Sequence, residues 1–190
     1  LKGVDVEVYI MPGNDDYFEI DDVLNKSAIV MNPEGKVVEV GSRYEMISCG
    51  YVNMTPWKAP RDIPDEELEK KLEDLASQLR NSKESIFSFH APPFNTNIDL
   101  APLLDNDFRP IVSGGQLFMT HVGSRAVRKV IEKHQPLIGL HGHIHESKGV
   151  VKIGRTLCLN AGSDYQSGNL QGAIITLEDG KVKNYLLTAG

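Results

Sequence analysis

Leu-Ile-Gly-Leu-His-Gly-His-Ile-His, residues 137–145, is the stretch of sequence that decides the fold. Its apolar first part, residues 137–140, predicts a buried strand, and histidines follow at positions 141, 143 and 145. Neutral imidazole is a common ligand of zinc, iron, manganese and nickel. The motif therefore predicts a metal site just beyond a strand, where sheets flanked by helices commonly carry their sites. A polar loop with incidental histidines is the alternative interpretation of this motif alone.

Two further clusters of candidate ligands follow predicted strands. His90 comes directly after the apolar residues 86–89, although a lone histidine at a strand end is more often structural. The segment Gly13-Asn14-Asp15-Asp16 follows the alternating residues 4–10 and in isolation indicates a turn. The amide oxygen of Asn14 can nevertheless ligate a metal. Because strand ends of one sheet can converge on one edge, we expect the three clusters to meet there.

The remaining pattern predicts a mixed order of helices and strands. Residues 65–80 carry one apolar stripe and predict a helix, for which Asp62 provides a plausible start. A second helix is expected from Ser124. Further strands are predicted at residues 28–30, 37–40, 43–49, 150–153, 156–160, 173–177 and 182–187. This order favours a layered α/β or α+β arrangement, and no linker divides residues 1–190, so we expect a single domain.

Composition and charge exclude several classes of protein. The chain is 41% hydrophobic and 24% charged, as is ordinary for a globular protein, and no apolar run is long enough for a membrane helix. A net charge of −6 disfavours non-specific binding to nucleic acid, although a bound metal can supply positive charge for a phosphate-containing substrate. Cys49 and Cys158 stand singly in apolar stretches. We expect buried thiols and hence a reducing, cytoplasmic location.

The ordered set of motifs resembles the calcineurin-like metallophosphoesterase family. The motifs are Gly13-Asn14-Asp15-Asp16, the mid-chain His90, and Gly142-His143-Ile144-His145, and the resemblance extends from about Val4 to the end of the chain. It implies a four-layer α/β sandwich in which two mixed β-sheets are flanked by helices. It also implies a metal-dependent phosphoester hydrolase that acts on a small-molecule phosphoester.

The resemblance also implies a dinuclear metal centre. Asn14, His90 and His143 would bind one metal ion, and His145 would bind the other. The implied cofactors are two divalent transition-metal ions, manganese in the first place, with iron, zinc or nickel as alternatives. Paired cations of this kind lower the pKa of a bridging water, and the resulting hydroxide attacks phosphorus in line.

Two departures from the family pattern qualify these expectations. The family's first two motifs, Asp-x-His and Gly-Asp, are absent, so we expect a chain that is incomplete at its N-terminal side. Asp15 stands where many phosphomonoesterases of the family carry His, which is similar to the phosphodiesterase-type branch. Asp15 is the candidate catalytic residue, expected to orient Asn14, a water or a substrate group. The alternatives are a non-catalytic scaffold of the same fold and a mononuclear metal-binding module.

Three other residues have open roles. His121 is expected to be structural or to support a metal ligand, and His134 is expected to be structural at the end of a helix. Trp57, between two prolines, could stack on a base or form a wall of the pocket, and a packed loop anchor is an equally good interpretation.

Overall fold

The computed structural model describes residues 6–190, so the first two residues of the predicted strand 4–10 lie outside the described residues. In the described part of that segment, Tyr9 forms only an isolated parallel bridge with Met31. The helices are α1 (Glu19–Asn25), α2 (Asp65–Ala76) and α3 (Arg125–His134). The strands are β1 (Val37–Val40), β2 (Tyr44–Cys49), β3 (Val52–Asn53), β4 (Asp62–Ile63), β5 (Ile86–Phe89), β6 (Leu100–Pro102), β7 (Val112–Ser113), β8 (Gln116–Leu117), β9 (Met119–His121), β10 (Ile138–His141), β11 (Gly149–Ile153), β12 (Thr156–Asn160), β13 (Gln171–Glu178) and β14 (Lys181–Ala189).

A six-stranded mixed sheet organises the molecule. Its strand order is β1-β2-β5-β10-β12-β11. The four inner strands β2, β5, β10 and β12 are parallel to one another, and β1 and β11 add antiparallel edges. The carboxyl ends of the inner strands consequently lie along one edge of the sheet, where such folds commonly carry their sites.

Helices α2 and α3 cover one face of this sheet. Leu68 and Leu72 of α2 and Val127 and Val130 of α3 are fully buried in one cluster with sheet residues such as Phe87. The antiparallel hairpin of β13 and β14 covers the other face and packs its inward side chains against that face. This arrangement confirms the predicted mixed α/β class, while the finer four-layer sandwich stays a prediction.

Several sequence predictions need correction at the level of elements. The predicted strand 28–30 is wrong, because residues 28 and 29 are bends and residue 30 belongs to no strand, and α1 just before them was not predicted. The predicted helix 65–80 ends at Ala76. Asp62 does not cap this helix: the residue before it is Pro64, no side chain caps it, and Asp62 lies in β4. The start of α3 is as predicted, since the Ser124 hydroxyl accepts a hydrogen bond of 3.0 Å from the Val127 amide.

A β-arm, residues 100–121, is formed by short strands that were not among the predicted elements. Strands β6 and β9 pair at its base, and β7 and β8 form a short hairpin at its tip. Between them, the Leu103 amide donates to the Phe118 carbonyl at 2.7 Å, so the middle of the arm is also hydrogen-bonded. The arm is therefore an ordered projection of the fold beside the carboxyl edge of the sheet.

The remaining described features concern the thiols and the length of the helices. Cys49 and Cys158 are both free and buried, as predicted, and burial raises the pKa of each thiol to about 12. Within residues 6–190, no helix has the length and apolar character that crossing a membrane would require.

Candidate metal centre

The main-chain ladder of the sheet continues into the predicted ligand segments. The His90 amide donates to the Cys49 carbonyl at 2.8 Å, and the Gly142 amide donates to the His90 carbonyl at 3.1 Å. These bonds extend β5 and β10 by one residue each beyond their assigned ends. His90 and the segment that follows His141 are thus held by the sheet itself, as a site with fixed geometry requires.

Asn14, His90 and His143 converge at this edge. The Asn14 Oδ1 lies 3.1 Å from the His143 Nδ1, and the rings of His90 and His143 are 5.2 Å apart between centroids. Gly13 allows this approach, because a Cβ at position 13 would lie 3.0 Å from the His90 Nε2. The structure therefore brings together three of the four predicted metal ligands, from three separate parts of the chain.

The Asn14 amide is held in one orientation by Asp62, whose part in the site the sequence prediction missed. The Asn14 Nδ2 donates to Asp62 Oδ1 at 3.1 Å, and an ionised carboxylate can only accept. The amide nitrogen therefore faces Asp62, and the amide oxygen faces His143. Asp62 is itself fixed by hydrogen bonds from the Ala59 amide at 3.0 Å and from Thr55. No local pattern in the sequence marks Asp62 for this part.

The loop that carries Asn14 is fastened by Arg61. The Arg61 amide donates to the Asn14 carbonyl at 3.1 Å, and its guanidinium, which is 1% exposed, reaches the Asp16 carbonyl at 3.2 Å. The same guanidinium forms an ion pair of 2.8 Å with Asp21 of α1. Opposite charge and hydrogen bonding hold the pKa of Asp21 below its ordinary value despite the desolvation that would raise it. This ion pair, whose guanidinium is buried, connects α1 to the candidate site.

His143 has an unusual main chain. Its φ is 64°, in the left-handed region that non-glycine residues rarely occupy. Such a conformation costs roughly 1–2 kcal/mol for an L-residue. The strained residue is thus the one whose ring contacts Asn14. Strained residues of this kind concentrate at functional sites.

His90 and His143 are half-buried and neutral. Burial, together with the nearby His143, His145 and His141, lowers the pKa of His90 to about 3. Burial also lowers the pKa of His143, although the carboxylates of Asp62 and Asp15 act in the opposite direction. Both imidazoles therefore have a free nitrogen lone pair at neutral pH, which is the form that binds a metal.

His145 and Asp15 are more exposed than Asn14, His90 and His143. Both are exposed, and both line the same cleft as Asn14. The His145 ring lies 5.7 Å from the Tyr165 ring in an edge-on arrangement. The Asp15 carboxylate is 3.5 Å from the Asn14 Nδ2, a long contact that leaves it available to water or to a ligand.

The other three histidines have structural contacts. The His141 ring is buried, with Nδ1 3.0 Å from the carbonyls of Phe89 and Ala91, and burial lowers its pKa to about 4. His121 lies 2.8 Å from the buried Asp99, and His134 lies 2.9 Å from Glu73. These contacts agree with structural roles for His121 and His134.

The convergent residues open into one large cleft of about 920 Å³. Half of its lining residues are apolar, and they come mainly from residues 54–57 and from the β-arm. The two walls are connected, because the Asn53 Nδ2 donates to the Val122 carbonyl at 3.1 Å. Trp57 belongs to this lining and is 65% exposed, so it is a pocket wall and not a packed anchor.

The donors that are present fit one divalent cation. Within residues 6–190, no group of three or more His, Cys, Asp and Glu side chains is arranged to hold a metal. The convergent set is two imidazoles and one amide oxygen, a mixture that suits a transition metal. His90 supports this fit, because its lowered pKa keeps the imidazole neutral beside His143. For a second cation, His145 is the only predicted ligand that the described residues supply.

Comparisons with known proteins agree with the fold and say little about the chemistry. No protein-family model matches the chain. The uncharacterized protein MJ1162 of Methanocaldococcus jannaschii is 35% identical over 158 residues, which cover 82% of this chain and 63% of that protein.

Solved structures give a similar result. One crystal structure matches with a TM-score of 0.61 at 18% identity, over 88% of this chain and 61% of the other. The crystal structure of TT1561 of Thermus thermophilus matches with a TM-score of 0.53 at 19% identity, over 86% of this chain and 65% of that one. The chain thus spans less than two thirds of the length of these relatives, and the likeness concerns the fold alone.

Proposed function

We propose that this chain carries part of the active site of a metal-dependent phosphoester hydrolase of the phosphodiesterase type, with the four-layer metallophosphoesterase sandwich as its fold. The observation that carries the proposal is the convergence of Asn14, His90 and His143 at the carboxyl edge of the sheet. The same three residues carry the family resemblance of the sequence, in the same order. Two divalent cations, manganese first among them, are the proposed cofactors.

Each residue has a proposed part in this site. Asn14, His90 and His143 would hold the first cation, and His145 would contribute to the second. When bound, such cations lower the pKa of water and offset the charge that develops on a phosphoryl group. Asp62 keeps the Asn14 oxygen directed at the site, and Asp15 is placed to orient a water or a substrate group.

The electrostatics of the cleft are consistent with a metal-dependent reaction. Among the described residues that line the cleft there is no Lys or Arg, while Asp15, Asp16 and Glu146 are acidic. A phosphoester would be repelled by this surface unless cations were bound. The chain's own side chains therefore supply ligands and orientation, and they do not supply the positive charge.

A mononuclear metal-binding module is the second candidate. It is favoured by one observation: the described residues complete a donor set for one cation and offer only His145 for another. A non-catalytic scaffold of the same fold is disfavoured by the convergence of Asn14, His90 and His143 at one edge of the sheet.

Metal content and hydrolysis together test the proposal. The full-length protein is loaded with Mn²⁺, its bound metal is counted, and hydrolysis of bis-p-nitrophenyl phosphate is followed. We expect about two ions per chain and activity that His143→Ala reduces by at least a hundredfold, with His134→Ala as a matched control on α3. One ion without hydrolysis would favour the module, and no bound metal would favour the scaffold.

A further inference from the structure

The cleft beside the candidate metal centre is mostly apolar where it leaves the ligands. Leu103, Leu104 and Phe108 of the β-arm line it from one segment, and Met54 and Trp57 line it from another. Except for Leu104, all of these side chains are substantially exposed, with Trp57 the most. Large apolar side chains that stay open to water around a concave site are characteristic of surfaces that bind an apolar ligand.

The charge of the cleft restricts the polar part of that ligand. Three carboxylates line it, those of Asp15, Asp16 and Glu146, and no Lys or Arg does so within the described chain. A nucleoside triphosphate or another polyanion would meet uncompensated repulsion beyond the metal ligands. A single phosphodiester, with one negative charge, is the better match.

The size of the cleft indicates that a ligand filling it has a large part outside its phosphodiester group. About 920 Å³ is at the upper end of the range for small-molecule sites. The candidate metal ligands and the carboxylates account for one part of the lining, and most of the rest is apolar, with Asn53, Thr55 and Thr120 as polar exceptions. A nucleobase would fill the space, but its edges need hydrogen-bond partners, which the side chains of Met54, Trp57, Leu103 and Phe108 lack, apart from the one indole N–H.

We propose that the substrate of this site is a phosphodiester in which one ester group is an extended alkyl or acyl chain, bound by the β-arm and by residues 54–57. This inference rests on the proposed function for its phosphodiester part, and on the walls of the cleft for its apolar part. The β-arm is an ordered feature, hydrogen-bonded along its length, so the apolar wall exists before the ligand binds. Preorganisation of this kind favours tight binding.

The first test measures binding in the full-length protein, without hydrolysis. Dimethyl phosphate and methyl octyl phosphate, the latter below its micelle concentration, are titrated while the fluorescence of Trp57 is followed. Each fully buried methylene contributes roughly a fourfold gain in affinity, so partial burial of the chain still predicts a Kd at least tenfold lower for the octyl ester. Equal dissociation constants for the two esters would overturn the inference.

Variants locate the apolar contact. Leu103→Ala and Phe108→Ala should each reduce the octyl-to-methyl ratio of affinities at least threefold. Leu186→Ala is the matched control, because Leu186 is 58% exposed on β14 and does not line the cleft. An octyl preference that neither arm variant changes would mean that the chain adsorbs elsewhere, and the inference would fail. Two variants are used so that a folding defect in one does not decide the result.

A second test separates this inference from the proposed function. Methyl p-nitrophenyl phosphate and octyl p-nitrophenyl phosphate are hydrolysed with Mn²⁺ present. In each, water forms a new P–O bond, the bond to p-nitrophenolate breaks, and an alkyl phosphate remains. At least tenfold higher kcat/KM for the octyl ester supports the inference. Hydrolysis without a chain-length preference overturns the inference alone. Octyl-selective binding without any hydrolysis overturns the proposed function, but it still supports the inference that the ligand is apolar.

Discussion

The carboxyl group of Glu34 predicts a measurable pH dependence of folding. Its Oε2 accepts a hydrogen bond of 2.6 Å from the Gly50 amide at the end of β2. Burial raises the pKa of Glu34 from 4.5 to about 7, although the Gly50 hydrogen bond and the charge of Arg61 favour the ionised form. Desolvation is therefore the largest of the opposing effects on this carboxyl group.

The direction of the pH dependence follows from the protonation of Glu34 in the folded and unfolded states. The unfolded chain releases the proton of Glu34 near pH 4.5, whereas the folded protein keeps it up to about pH 7. Between these values only the folded state holds the proton, so the free energy of unfolding falls as the pH rises through this window. The difference between the two pKa values of Glu34 corresponds to roughly 3 kcal/mol of folding stability. This contribution is fully present below pH 4.5 and is lost above pH 7.

Urea unfolding of the wild type and of Glu34→Gln at several pH values between 4.5 and 8 measures this contribution. The stability of the wild type relative to the variant should decrease by about 3 kcal/mol across the window, because Gln does not titrate. Glu178→Gln, on the exposed end of β13, is the matched control and should give parallel curves. Parallel curves for Glu34→Gln would refute a raised pKa for Glu34.

Three substitutions test the contacts that support the candidate metal site and the core. In Gly50→Ala the added Cβ would overlap the carbonyl oxygen of Pro12, so we expect a loss of about 1–3 kcal/mol in urea unfolding and weaker Mn²⁺ binding by calorimetry. Asp62→Ala frees the Asn14 amide to rotate, and we expect the Kd for Mn²⁺ to rise roughly 10–100-fold. Leu72→Ala, at 0% exposure in the core, should cost about 2–5 kcal/mol in thermal or urea unfolding.

Two control variants and two contradicting results accompany these predictions. Leu170→Ala, at 79% exposure, should change stability by less than about 0.5 kcal/mol. Asp74→Ala, on the exposed side of α2, should leave Mn²⁺ binding unchanged. Unaltered Mn²⁺ affinity in Asp62→Ala would show that the orientation of Asn14 does not matter. A stable Gly50→Ala protein would show that the loop at Pro12 moves aside easily.

The sequence predicted those parts of the fold whose signal is local. Strands β1 and β12 have the predicted bounds, because short apolar runs between turn residues define both ends. His90 and the histidines after residue 140 were expected to meet because parallel strands share a carboxyl edge, and the structure brings His90 and His143 together. The metal-binding roles of these residues stay predictions.

Other features depend on contacts that no local pattern reveals. Helix α1 has no buried residue, so it lacks the apolar stripe that marks an amphipathic helix. The β-arm consists of strands of two or three residues among prolines, which local propensity assigns to loops. Asp62 was interpreted as a helix cap because caps and turn residues share a composition, whereas its hydrogen bond to Asn14 spans 48 residues.

The distance along the chain between the converging residues connects binding with folding. Asn14 and His143 touch across 129 residues of sequence, with His90 between them. A cation held by all three would close loops that are costly to close in the unfolded chain. Such binding adds roughly 2.7 kcal/mol to the folded state when free metal is at a hundred times its Kd. By the same linkage, a partly unfolded molecule lacks the metal site. A destabilising substitution in the distant core therefore also lowers the apparent affinity for the metal.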